Sequence, residues 1–238
     1  MKRAAVAMVA TAGGLAGLWF YLRPKPELPL VEKGPSGGIT RLPTFKAKGL
    51  MSVEEALASR RSVREYSSQP LTLEHLSQLM WAAQGITLPR WGFRTAPSAG
   101  ATYPLEIYIV AGEGGVSGLA AGVYLYDLKS NSLISRIEGD RRSQLSIAAL
   151  DQEWVAYARI NIVIAAVFDR TTERYGERGV RYVYMEAGHV SQNIYLQATV
   201  LGLATVTIGA FYDEQVQRVL GMPEAHKPLY IQPVAYPK

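Results

Sequence analysis

An α+β fold is the class this sequence predicts: one sizeable domain behind a short N-terminal appendage. Three observations lead there. Helical and strand-like stretches are mixed without the regular βαβ alternation of a parallel sheet. The run Ile160 to Phe168 is nearly continuously apolar and rich in β-branched residues, the mark of a central strand buried on both faces. Residues 180–201 form the longest helical stretch, too apolar for a solvent face, and Gly202 stands where it should stop. With 238 residues, 48% hydrophobic and 19% charged, the chain can bury a core of ordinary size.

At the N-terminus, Ala4 to Leu22 carries no charge, with Lys2 and Arg3 before it and Arg23-Pro24-Lys25-Pro26 after it. Nineteen helical residues span about 28 Å, close to the hydrocarbon core of a bilayer. Trp19 and Tyr21 sit where interfacial aromatics belong. Residues 1–23 therefore read as a transmembrane anchor. The alternative is a signal segment cleaved at Ala10-Thr11-Ala12, although only a very short apolar run precedes that site. The expected location is at a membrane, or outside it after cleavage. Basic residues on both flanks leave the orientation open. Residues 24–48, rich in Pro, Gly and charge, read as a linker, and 49–238 as the folded domain.

Within that domain Ser52-Val53-Glu54-Glu55 is a capping box opening a short helix, which Arg60 to Arg64 closes. Thr72 caps a second helix, Leu73 to Gln84, and Gly85 stops it. Residues 86–104 are irregular, and a strand follows from Leu105 to Val110. Ala111-Gly112-Glu113-Gly114-Gly115 resembles a phosphate loop only superficially. It lacks the Gly-Lys-Ser/Thr ending and leads into another strand, Gly122 to Tyr126, so it reads as a connection. Leu133 to Ile137 reads as a strand, 141–158 as helix with a break near Leu150, and Thr205 to Ile208 as a short strand. Asp213 can cap a helix over 214–220, and Leu229 to Val234 is the last strand.

Several chemistries are excluded early. The net charge of +5 is mild and partly N-terminal, so it is no nucleic-acid footprint. The chain has no cysteine, hence no disulfide, thiol nucleophile or iron–sulfur cluster. His75, His189 and His226 are too scattered in sequence to predict a metal site.

Two stretches carry chemistry. Pro97-Ser98-Ala99-Gly100-Ala101-Thr102-Tyr103-Pro104 is dominated by small residues that let a backbone approach a flat object, and it feeds directly into a strand. Arg60-Arg61-Ser62-Val63-Arg64 sets three guanidinium groups and a hydroxyl within five residues, a pattern suited to phosphate oxygens. Each has a plainer explanation: a tight connection for the first, a solvated helix end for the second.

The ordered set is more specific. These two stretches are followed by Glu186-Ala187-Gly188-His189, Gln192-Asn193, Leu201-Gly202-Leu203 and Ile208-Gly209-Ala210-Phe211. Over residues 50–236 the chain resembles the nitroreductase family of FMN-dependent oxidoreductases, above all the branch of azoline-oxidising dehydrogenases. The resemblance implies a central mixed or antiparallel sheet flanked by helices, and a homodimer whose subunits share each flavin. It implies that Arg60, Arg61 and Ser62 hold the FMN phosphate and ribityl chain, that Arg64 lies near the pyrimidine edge, and that Gln152 meets the flavin edge. Pro97, Ser98, Ala99 and Gly100 would come from the partner subunit to lie along the ring, and Gly209 and Ala210 would face its N5 through backbone N–H groups. Many relatives carry Glu-Gly at that turn, and more C-terminal basic residues than the single Lys238 found here. No side-chain acid or base is required by this scheme. Tyr103, Tyr175, Arg181 and His189 are candidates for proton donation or substrate contact, against ordinary core or surface roles.

The activity so implied is hydride transfer from NAD(P)H or an organic donor to an acceptor such as a nitroaromatic or quinone. A dehydrogenase of heterocycles or peptides is the second reading. The third, from another class, is a membrane-tethered binding protein with a decayed flavin site.

Overall fold

The structure, a computed structural model, describes residues 37–238. The anchor or signal expected at 1–23 and most of the expected linker lie outside these residues. Among the described residues no helix is long and apolar enough to cross a membrane.

Two of the three expected N-caps form, at Ser52 and Thr72. Helix α1 (Val53–Ser59) opens with the reciprocal box of Ser52 and Glu55, and α2 (Leu73–Gln84) with that of Thr72 and His75. Strands β4 (Leu105–Ala111), β5 (Gly122–Asp127) and β6 (Ser132–Glu138) make an antiparallel meander. The chain returns through α3 (Arg142–Ala148) and α4 (Glu153–Tyr157) to lay β7 (Ile160–Ala166) on the other side of β4, a Greek-key return. Helices α5 (Asp169–Tyr175) and α6 (Arg178–Val200) follow, then β8 (Ala204–Thr205), α7 (Asp213–Leu220) and β9 (Lys227–Ala235). With β1 (Ile39–Arg41) on the far edge, the seven-stranded sheet runs β1-β6-β5-β4-β7-β9-β8. Every pairing in it is antiparallel.

Side chains alternate across a strand, so each central strand serves two cores. Ile107 and Ile109 of β4 and Ile162 and Ile164 of β7 face α2 and α6. Tyr108, Val110, Val163 and Ala165 face α3, α4 and α7. Because both sets are apolar, β7 reads as a nearly continuous hydrophobic run, as its sequence predicts, broken by Asn161, whose Nδ2 donates to Val155 O.

Four local expectations change. The described end of the presumed linker is built into the sheet: β1 pairs with β6, and Leu42 is buried. The irregular 86–104 segment contains a small hairpin, β2 (Ile86–Leu88) with β3 (Phe93–Arg94). The Thr205–Ile208 strand shrinks to β8 plus one bridge from Ile208 to Ile231. Helix α7 begins at Asp213, with Tyr212 in the cap position. The helix break near Leu150 is present, carried by left-handed Leu150 (φ 64°) and Asp151 (φ 58°).

Removing core volume from β7 should be costly. Ile162 is fully buried, so Ile162→Ala should lower stability by roughly 2–5 kcal/mol in chemical denaturation. Ile39→Ala, on an exposed edge residue, should cost well under 1 kcal/mol.

Candidate active site

The arginine loop is fixed from three sides. The Arg60 N–H closes α1 on Ala56 O at 2.9 Å, and the Val63 N–H donates to Thr205 O at 3.0 Å, pinning the loop to β8. Tyr66 Oη donates to Val63 O at 2.8 Å. Ser62 Oγ and Tyr195 Oη are 2.8 Å apart, and the Tyr195 oxygen also accepts the Thr207 N–H at 2.8 Å. Either hydroxyl can donate in the Ser62–Tyr195 pair; with Tyr195 as donor, the serine hydrogen is free for a ligand.

The guanidinium groups divide. Arg60 lies 4.9 Å from the Tyr195 ring centre and Arg64 lies 5.4 Å from that of Trp154. Arg61 turns back, its Nη1 donating to Ala58 O and Arg60 O, and so serves the end of α1. Among the described residues, no carboxylate stands within 4.0 Å of Arg60, Arg61 or Arg64. Arg60 and Arg64 are thus left as neighbouring cations without an acid partner among the described residues, a composition suited to an anion.

Gln152 is brought to the same region. It sits just before α4, and its Nε2 donates to Ala149 O at 2.7 Å and Ala210 O at 3.0 Å. Both its donor hydrogens are thereby committed, so only Oε1 remains to meet a ligand. The bond also fixes the exposed Gly209-Ala210 turn, 58 residues away in sequence. The Lys238 N–H donates to Glu65 O at 3.3 Å, which brings the last residue beside the arginine loop.

Pro97, Ser98, Ala99 and Gly100 form a second group. Ser98 Oγ accepts the Tyr103 N–H at 2.9 Å across a 3-10 turn at Ala99–Ala101. Gly100, Ala101 and Tyr103 have φ of 59°, 54° and 47°, the left-handed region that costs non-glycine residues about 1–2 kcal/mol each. Helix α5 holds this shape. Thr171 bonds Thr102 at 2.8 Å, Arg174 donates to Gly100 O at 3.1 Å, and Arg170 donates to Tyr103 O at 3.3 Å. A Cβ at Gly100 would come within 2.5 Å of Tyr175 Oη, so a side chain there would push the ends of Tyr175 and Arg174 aside in addition to the φ strain.

Glu186 of α6, only 3% exposed, lies beneath this loop. Burial pushes its carboxyl up from the ordinary 4.5 to about 7, against the pull of the Ser98 hydroxyl, the Arg94 charge and the Gln84 amide. Its Oε1 has no hydrogen-bond partner. The sequence displays this acid inside a family motif without giving it a role; its register with Val183 and Val190 on the buried face of α6 is the signal that could have marked it. Of the other candidates, Tyr103 stacks under Arg94 at 4.1 Å, Tyr175 packs at Gly100, and Arg181 and His189 are exposed on α6.

Within one chain the two groups are separated along α6. Tyr195 supports the first and Glu186 the second, nine residues or about 13 Å apart on the axis.

Residues 57–236 match the profile of the nitroreductase family. The chain belongs to the nitroreductase family. MJ1384 of Methanocaldococcus jannaschii, named as a nitroreductase, is 50% identical over 184 residues, covering 77% of this chain and 90% of that protein. A crystal structure of a nitroreductase-type protein from Ralstonia eutropha superposes with a TM-score of 0.77 at 27% identity, covering 91% of this chain and 98% of the other. The microcin B17-processing protein McbC of Escherichia coli is 25% identical over 143 residues, 58% of this chain and 53% of that protein. As a nitroreductase the chain is a flavin-dependent oxidoreductase with an antiparallel sheet flanked by helices, the architecture described above.

The raised Glu186 carboxyl makes stability fall with pH. Between about pH 4.5 and pH 7 the unfolded chain releases this proton while the folded chain keeps it. The contribution is therefore complete below 4.5 and lost as pH passes 7. Glu186→Gln, neutral at every pH, should gain on the native protein across that window, by up to about 3 kcal/mol above pH 7, in urea melts from pH 4 to 8.

Proposed function

We propose that this nitroreductase binds FMN at a site shared by two subunits and passes hydride between a reduced donor and a small acceptor. The observation that carries the reading is the Arg60–Arg64 loop, whose three guanidiniums have no carboxylate within 4.0 Å among the described residues. Arg60 and Ser62 would hold the phosphate and ribityl chain, with Arg61 adding charge from the helix end. Arg64, against Trp154 at the start of α4, shares that corner with Gln152 and the Gly209-Ala210 turn. When bound, FMN supplies the atom that accepts and releases hydride. The protein's part is to fix its ends, to place a positive charge beside its pyrimidine edge and to leave one flat face open. The absence of a carboxylate within 4.0 Å of these arginines among the described residues speaks against a decayed site.

NAD(P)H or an organic reductant would serve as donor, with nitroaromatics or quinones as acceptors, the two taking turns at one face. The likeness to McbC favours a second reading, oxidation of an azoline-type ring or a peptide. The uncharged run Ala4 to Leu22 supports a membrane tether for this domain. The purified protein should be yellow and release FMN on denaturation. Arg60→Ala should weaken FMN binding by roughly 1.5–3 kcal/mol. Arg64→Met should lower the flavin potential with a smaller loss of occupancy, read by anaerobic redox titration beside a flavin assay. A colourless protein that cannot be reconstituted would end this reading.

The second subunit is argued from α6. Arg181, Tyr184, Met185, Gly188, His189 and Gln192 line its outward stripe, with Tyr184 55% and Met185 48% exposed. A Cβ at Gly188 would meet no atom within 4 Å, so close approach by another chain is open there. We assign this stripe to the homodimer contact that brings Pro97 to Gly100 over the partner's flavin. Gly188→Phe should leave the circular dichroism of the fold intact, yield a monomer by light scattering and empty the flavin site. A flavin-loaded dimer in that variant would contradict the assignment.

A further inference from the structure

We propose that the cavity enclosed by the ends of α2 and β3, strand β4, the β5–β6 turn and α5 is a separate binding site for a small organic carboxylate. The cavity holds about 310 Å³ and carries five charged side chains: Arg94, Arg170, Lys129, Glu106 and Asp127. Three of them are already committed. Glu106 pairs with Arg170 at 2.5 Å, and Asp127 accepts the Lys129 N–H at 3.1 Å and the Ser130 hydroxyl at 2.5 Å.

Two cations remain. The only hydrogen bond of Arg94 among the described residues is to the neutral Oε1 of Gln84, at 2.6 Å, and one of its faces is covered by the Tyr103 ring. The ammonium of Lys129 has no partner among the described residues. Arg94 makes no ion pair within 4.0 Å among the described residues, and burial pulls it below the ordinary arginine range although Glu186 and Glu106 act on its charge from further away. An anion in the cavity would offset the cost of that burial. Gln84, 2% exposed, fixes the guanidinium from one side and so presets the fork for a planar, two-oxygen ligand.

The rest of the lining selects among anions. Leu105, Ile107, Tyr126 and Leu128 give the cavity an apolar wall that an inorganic anion would leave dry and unused. A carboxylate with a hydrocarbon body satisfies both parts. None of the residues lining the cavity belongs to the arginine loop at 60–64 or to Pro97–Gly100.

The test titrates the full chain by calorimetry with hexanoate, hexanol and inorganic phosphate while the flavin absorption is followed. Hexanoate should bind at least tenfold more tightly than either comparison compound and leave the flavin spectrum unchanged. Arg94→Met should weaken hexanoate at least tenfold. Lys129→Met, at an exposed position that leaves packing alone, should weaken it at least threefold. Absence of hexanoate binding, phosphate binding as tightly, or hexanoate affinity untouched by Lys129→Met would each overturn the proposal. So would a shifted flavin spectrum, which would place the acid at the flavin face. The calorimetric outcomes do not depend on whether the flavin site itself is assigned correctly.

Discussion

Helix α6 has to meet two polar demands from within an apolar face, and the arrangement of the whole site follows from how it does so. Its buried stripe packs Val183, Ala187, Val190, Ile194 and Ala198 against the sheet. Into that stripe the sequence inserts Glu186 and Tyr195. Each is tolerable only because a loop comes to it: Ser98 and its neighbours to the first, Ser62 and the Thr207 N–H to the second. The helix is thus the common ruler against which both loops are measured. A shift of one turn, about 5.4 Å, would leave both polar groups buried without partners.

The second loop illustrates how strain is held in place. Ala101 and Tyr103 occupy left-handed backbone conformations that neither residue favours. The cost is offset by α5, which supplies three side-chain bonds to the loop. Helix α5 is polar along most of its length, and its role is to shape the loop more than to fill the core.

The elements legible in the sequence are those whose cause is local or long. Capping boxes at Ser52 and Thr72 are written within four residues, and β7 and α6 declare themselves by sustained periodicity. Strand β1 is illegible because three residues among prolines and glycines become a strand only when the β6 edge is present. Helix α5 is illegible for a related reason, since its Thr and Arg residues are explained only by the loop they bond. In the site, the arginines and the Pro-Ser loop are visible as types, but their assignment came from ordered resemblance. The bond from Gln152 to Ala210 spans 58 residues, and the backward turn of Arg61 depends on the geometry of the helix end. No spacing rule could have shown either.

The seven-stranded sheet also acts as a spacer bar. Strand β1 lies at one edge and β8, to which the arginine loop is pinned, at the other. Six inter-strand steps of about 4.8 Å put roughly 29 Å between them. Gly37 and β1 therefore stand at the edge of the sheet remote from the arginine loop.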